Sequence, residues 1–286
     1  MTVSDTNENI HIHIEPQTSL FSVDLGEIWR YRDLILLFTK RSFALTYKQT
    51  ILGPAWILLT PFITSVIYTI VFGGIAGIST EGVPQILFYM GNNAVWSFFA
   101  TCVNKTSSTF TANANVFGKV YFPRLTVPVS TILSAVITFL IQFLMFSFFW
   151  IYYIAQGEVH PHWEMLSLLI PVLLQLGCLA LGTGIIVSSL TTKYRDLSHL
   201  VGFGVQLWMY ATPVVYPMSQ IHNDTLRLLI HVNPVTQAVE TFRYIILGTG
   251  EVSMGWWICS IILTVLILLF GVLLFNKVEK TFMDTV

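Results

Sequence analysis

Charge is what this sequence lacks. Only 10% of its 286 residues are Asp, Glu, Lys or Arg, against about a quarter in soluble domains, while 54% are hydrophobic. That balance excludes an ordinary soluble domain and indicates an integral membrane protein. Cysteine is nearly absent too. Cys102, Cys178 and Cys259 lie far apart in apolar runs, which excludes a disulfide framework and makes them small hydrophobes. Catalytic signatures are missing. There is no G-x-x-x-x-G-K-[ST] phosphate loop, H-E-x-x-H pair, C-x-x-C or G-x-S-x-G, so no enzyme is expected and no ATP hydrolysis by that route. The first 20 residues are polar and acidic, without the apolar core of a signal peptide, so the N-terminus is expected to stay in the cytoplasm. No metal site is expected; "HIHI" at His11–Ile14 reads as tail.

What is present is a series of long apolar runs. A bilayer core takes about 20 mostly apolar residues per helix, and six runs qualify: Ala55–Ile78, Val83–Val103, Leu125–Ile154, Met165–Leu190, Leu197–Pro217 and Met254–Asn276. None contains Asp, Glu, Lys or Arg, and the missing intramembrane carboxylates argue against a proton-coupled carrier. The fifth run holds His199 and ends in a proline-rich bend. With the N-terminus inside, 12 of the 14 Lys and Arg residues fall on the cytoplasmic side and only Arg227 and Arg243 outside. The positive-inside rule then places both termini in the cytoplasm.

The connecting segments carry the remaining information. Residues 24–53 show Glu27, Arg30, Asp33, Lys40 and Arg41 at helical spacing, with Trp29, Leu36 and Phe43 among the residues opposite. Such a helix lies in the membrane interface. Gly53 permits a sharp turn and Pro54 suits the first turn of the next helix. On the outside, Met218–Ser253 holds two short apolar stretches broken at Asn233-Pro234, read as a re-entrant helical hairpin roofing a cavity. Glu240 and Arg243, three apart, share one helix face and can pair. Some aromatics, Tyr68 and Trp96 among them, lie too deep for an interfacial belt. Trp and Tyr faces can stack on sugar rings. Asn92 and Asn93 would be costly against lipid, so they are expected to face the interior or a pore. The expected fold is all-α and integral to the membrane: a tail (1–23), an N-terminal amphipathic interface helix (24–53) and a six-span domain (54–286), with an external re-entrant helical hairpin between spans five and six.

Four stretches together resemble one family. "YKQTILGPAWILLTPF" at Tyr47–Phe62, "NANVFGKVYFPRLTVP" at Asn113–Pro128, "YRDLSHLVGFGVQLWMYATPVVYP" at Tyr194–Pro217 and "NPVTQAVETFRYIILG" at Asn233–Gly248 look like the membrane subunit of ABC exporters for cell-surface polysaccharides, the family that moves O-antigen, capsule and teichoic-acid polymers. Leu125 stands where the family often has an acid, and Thr212 where it commonly has serine. The resemblance implies a homodimer with a pore between two copies and two copies of a separate ABC ATPase that binds ATP and Mg, this chain holding no cofactor itself. It implies a lipid-linked glycan as substrate, O-antigen before capsule or teichoic acid, in the bacterial inner membrane, with membrane lipids as further partners and no nucleic acid. Trp56, Phe62, Tyr68, Tyr89, Asn92, Asn93 and Trp96 are the expected channel residues. Arg30, Arg32, Lys40 and Arg41 would meet the lipid headgroup. Asp33, Lys119, Arg124, Tyr194, Arg195 and Asp196 would couple to the ATPase, and Asn233, Pro234, Glu240 and Arg243 would form an external gate. A drug or small-lipid exporter, a membrane-embedded glycosyltransferase or polymerase, and a structural subunit without a pore are the competing readings.

Overall fold

The computed structural model describes residues 25–285 apart from 49, 121 and 195. The expected tail (1–23), including "HIHI", and Arg195 lie outside the described residues. The chain is helical: α1 Leu25–Arg30, α2 Arg32–Tyr47, α3 Trp56–Tyr68, α4 Gln85–Thr106, α5 Thr109–Phe117, α6 Thr126–Ala155, α7 Leu169–Lys193, α8 Leu197–Tyr210, α9 Asp224–Val232, α10 Pro234–Leu247 and α11 Met254–Thr285. Among the described residues five helical segments are long and apolar enough to cross a membrane, beginning at Gly53, Gln85, Thr126, Trp163 and Met254. The protein is therefore a multi-pass, all-α membrane protein.

The spans have different environments. The segment that opens with Gly53 and the last one are mostly exposed along their lengths, whereas α4 is mostly enclosed. It packs against α3, α6, α7, α8 and α10 and forms the axis of the main core. Its mixed composition reflects this: a helix facing protein on every side can carry Asn92, Asn93, Thr106 and Gly91, because neighbouring helices meet their polar groups.

Two close approaches are dictated by glycine. A Cβ on Gly182 of α7 would stand 2.8 Å from Leu268 Cα of α11, and one on Gly271 of α11 would stand 2.7 Å from the Gly182 carbonyl. Small residues at both positions let the two backbones nearly touch, the usual route to helix association where hydrophobic burial gives little driving force.

The fifth expected crossing is divided. Helix α8 has 14 residues, about 21 Å at 1.5 Å per residue, short of a hydrocarbon core about 30 Å thick. Beyond it residues 211–217 run without regular helix, and Thr212, Pro213, Val214, Val215 and Pro217 are buried. The physical reason is Pro213, which disfavours helix at the residue before it. Irregular backbone survives at such depth only when protein supplies hydrogen-bond partners, and here Asn92 Nδ2 donates to the Val214 carbonyl at 3.0 Å.

At the start of the bundle, α2 lies against the beginning of α6. Its Ile35 and Thr39 are buried, and the Thr39 hydroxyl reaches the carbonyls of Ile35 (2.8 Å) and Ser130 (3.3 Å). Arg30, Arg32, Asp33, Lys40 and Arg41 are exposed, as the helical spacing requires. Gly53 takes φ +52°, and Pro54 sits in the first turn of the short 3-10 helix leading into α3, so the chain turns between α2 and α3.

Candidate functional site

Helix α10 forms from Pro234, whose fixed φ suits a first helical turn, and ends at Gly248 with φ +74°. A Cβ on Gly248 would lie 2.2 Å from the His160 carbonyl, so only glycine fits. Every residue of α10 except Tyr244 is buried. The carbonyls of its last turn are met from the loop and helix before α7: Trp150 Nε1 donates to Ile246 O at 2.7 Å, the His162 backbone N–H donates to Ile245 O at 2.9 Å, and the His162 ring nitrogen Nδ1 lies 2.9 Å from Tyr244 O. These contacts supply the partners that a helix C-terminus needs when no solvent is present.

At the other end, Asn233 joins three elements. Its Oδ1 accepts from the Val235 N–H at 3.1 Å, capping α10, and from Trp208 Nε1 at 3.1 Å; its Nδ2 donates to Ala211 O at 3.1 Å and Thr212 Oγ1 at 2.9 Å. The broken crossing and the helix pair α9–α10 are thus hydrogen-bonded through one side chain.

Glu240 and Arg243 do pair, but inside the protein: their side chains are 1% and 0% exposed. The guanidinium also donates to Pro213 O at 3.4 Å and lies 5.1 Å from the Phe88 ring centroid, while Glu240 Oε2 accepts from the Glu251 N–H at 3.3 Å. Outside this buried pair, Arg227 and Glu251 form an exposed ion pair from α9 to the segment before α11. Asn233, Pro234, Glu240 and Arg243 therefore belong to one structure that locks α10 to the irregular stretch after α8.

The expected channel residues separate into two groups. Trp56 is 44% exposed at the start of α3. Phe62 and Tyr68 are partly buried: Phe62 stacks on Phe149 at 6.0 Å, and the Tyr68 hydroxyl lies 3.4 Å from Met209 Sδ. Tyr89, Asn92, Asn93 and Trp96 are buried inside the chain. Tyr89 meets Tyr68 at 6.2 Å and Phe88 at 5.4 Å, and Trp96 continues through Phe99 to Trp208 at 5.5 and 5.1 Å. These rings bind α3, α4 and α8 together. Buried hydroxyls and amides normally find partners, yet the Tyr89 hydroxyl and Asn92 Oδ1 have none among the described residues.

Lys119, Tyr194 and Asp196, like Asp33, are exposed. Asp196 caps α8, accepting from the Leu197 N–H at 3.1 Å. Arg124 differs: it is only 9% exposed, and its guanidinium sits 5.6 Å from the Phe117 ring centroid. It holds the loop against a second core of Phe110, Phe117, Phe122, Ile185 and Phe275, onto which Tyr31, Leu34 and Phe38 pack. Helix α2 and the loop between α5 and α6 are anchored in one aromatic cluster.

Sequence reasoning missed Trp208, Phe88, Trp150 and His162. Each acts by closing a distant backbone or charged group, and no local pattern announces such a contact.

Comparison with known proteins agrees with this architecture. Residues 33–247 match the family model described as ABC-2 type transporter. The chain is 27% identical over 221 residues to an O-antigen export system permease protein RfbA of Myxococcus xanthus, covering 77% of this chain and 82% of that one. Two proteins of that name from Klebsiella pneumoniae are 24% and 25% identical over 256 residues, each covering 88% of this chain and 94% of the relative. With the family model spanning α2 through α10, the chain belongs to the ABC-2 type transporter family and is a transport permease that works with an ATPase partner.

Proposed function

We propose that this chain is the transmembrane subunit of an ATP-driven exporter that carries a lipid-linked O-antigen polysaccharide across the bacterial inner membrane. The observation that carries the reading is the alignment of 88% of the chain with relatives named as O-antigen export permeases. In this reading both termini are cytoplasmic, two copies enclose the path, and two ATPase copies supply the energy. ATP and Mg are held by the ATPase.

The geometry supports definite roles. Asp33, Lys119, Tyr194 and Asp196 are exposed, and the cytoplasmic cluster of aromatic rings makes their segments stiff, so a push from the ATPase reaches the spans. Arg124 keeps that lever rigid from within. The pair α9–α10 is a re-entrant hairpin acting as the external gate. Trp56 offers an exposed ring to sugars, with Phe62 and Tyr68 behind it. Tyr89, Asn92, Asn93 and Trp96 meet the glycan when the helices around α4 part; the unpartnered Tyr89 hydroxyl and Asn92 carbonyl oxygen suit sugar hydroxyls.

The test is a deletion strain complemented with the wild-type gene or the Trp56→Ala variant. Wild type is expected to restore surface O-antigen, and the variant to lower it at equal protein level. Restoration of drug resistance without surface polysaccharide would instead assign a small-molecule exporter.

A further inference from the structure

About 25 Å along α4 from the Phe88–Arg243 contact, at 1.5 Å per residue, a polar cleft opens between α2, the end of α4, α5 and the start of α6. Its volume is about 420 Å³. Arg41 and Lys105 both line it, and its lining contains no carboxylate. Neither cation has a hydrogen bond or ion pair among the described residues. Two like charges facing one cavity repel unless an anion sits between them.

The remaining lining defines what that anion offers. Most of the hydroxyls are already spent on backbone carbonyls: Thr46 on Ser42 (2.9 Å), Ser108 on Lys105 (3.0 Å), and Ser130 and Thr131 on Val127 (2.7 and 3.1 Å). Asn113 gives one N–H to Thr109 O at 2.9 Å, leaving its second. The donors left over are therefore the guanidinium, the ammonium, the Ser42 hydroxyl and one amide N–H. Phe38, Leu45 and Val127 supply apolar flanks. A guanidinium and an ammonium beside an amide donor recognise phosphate oxygens through charge-assisted bonds, and apolar flanks suit an acyl or isoprenoid chain. Lys105 lies one residue before the end of the span Gln85–Thr106, where a span meets the water boundary.

We propose that this cleft binds the phosphate headgroup of a lipid from the inner leaflet. The assignment rests on the reading that α2 lies on the cytoplasmic membrane face; it names where the lipid phosphate sits, at Arg41 and Lys105, which line the cleft, rather than along Arg30, Arg32 and Lys40, which do not.

The full-length permease with its ATPase, in phosphatidylcholine nanodiscs, is titrated with undecaprenyl diphosphate, with phosphatidylglycerol, and with inorganic diphosphate, and bound species are counted by native mass spectrometry. Arg41→Gln or Lys105→Gln should weaken lipid binding about fivefold each and the pair about thirtyfold, at about one contact charge lost per step. Lys40→Gln and the charge-preserving pair Arg41→Lys with Lys105→Arg should bind as wild type. A preference for undecaprenyl diphosphate makes the site an entry point for substrate, whereas equal binding of phosphatidylglycerol makes it a resident-lipid site; both support the assignment. Unchanged lipid binding in the Gln pair, an equal loss in Lys40→Gln, or inorganic diphosphate binding as tightly as either lipid would overturn it. Surface O-antigen measured in cells with wild-type protein tests the transport reading separately, so the two ideas fail by different results.

Discussion

Arg243 is a full positive charge at 0% exposure, and its stability depends on Glu240, Pro213 O and the Phe88 face. Removing one member of a buried pair strands the other, which costs about 3 to 5 kcal/mol, whereas replacing both members with apolar residues is often close to neutral. Arg243→Met is therefore expected to lower the thermal midpoint in detergent sharply, and Glu240→Leu with Arg243→Met to recover much of the loss. A double variant as unstable as the single would show that the pair does not account for the effect. His231, on α9 outside the spans, is a second residue with a defined consequence. Burial, and then the nearby Arg227 cation, push its pKa below the usual 6.5, with Glu251 opposing. The folded state thus favours the neutral ring, which lies 3.2 Å from Gln237 Nε2 and stacks on Trp256 at 5.3 Å. A depressed folded pKa gives stability that is complete above the unfolded value and lost as pH falls through the folded one. The thermal midpoint should fall as pH drops from about 7.5 to about 5, and His231→Gln should flatten that slope.

At the scale of helices, α7 and α11 depend on Gly182 and Gly271. Gly182→Leu must separate backbones that lie in contact, and the neighbours are main-chain atoms that cannot step aside. Overpacking of this kind costs about 1 to 3 kcal/mol or more, so this variant should expose the free thiol of Cys178 on α7 to a maleimide reagent faster than wild type; unchanged labelling and thermal midpoint would refute the tight packing. Helices were the legible part of the sequence. Long uncharged runs, Gly53-Pro54 and Asn233-Pro234 located the spans, the turn into α3 and the break before α10, and the spacing of Glu240 and Arg243 revealed their pairing. Hydropathy does not distinguish lipid from protein as a neighbour, so the enclosure of α4 was not legible, nor was the burial of Tyr89 and Trp96. Pro213 hinted at a bend, but the partners that make the break at Ala211 tolerable come from Asn92 on α4 and Asn233 before α10, remote in sequence.

For the whole molecule, the expectation concerns how force enters. Lys119 is exposed beside a loop whose Phe117, Phe122 and Arg124 are buried. A cysteine at Lys119 should cross-link to the ATPase in membranes, and Phe117→Ala should leave ATPase association intact while reducing export, because softening the cluster wastes the stroke. Loss of association in Phe117→Ala would mean that the cluster shapes the docking surface itself. The cleft at Arg41 and Lys105 lies beside this same cluster, sharing Phe38 with it. A lipid seated there would touch the cluster to which force transmission is assigned in the proposed function.

The stretch from Ala211 to Pro217 has a last consequence. A regular helix must tear its own ladder to bend, but this stretch has lent its carbonyls to side chains elsewhere: Ala211 to Asn233, Pro213 to Arg243, Val214 to Asn92. Each loan can be called in and re-issued without unwinding anything. A change of angle at this joint would exchange side-chain hydrogen bonds and leave the helices on either side intact.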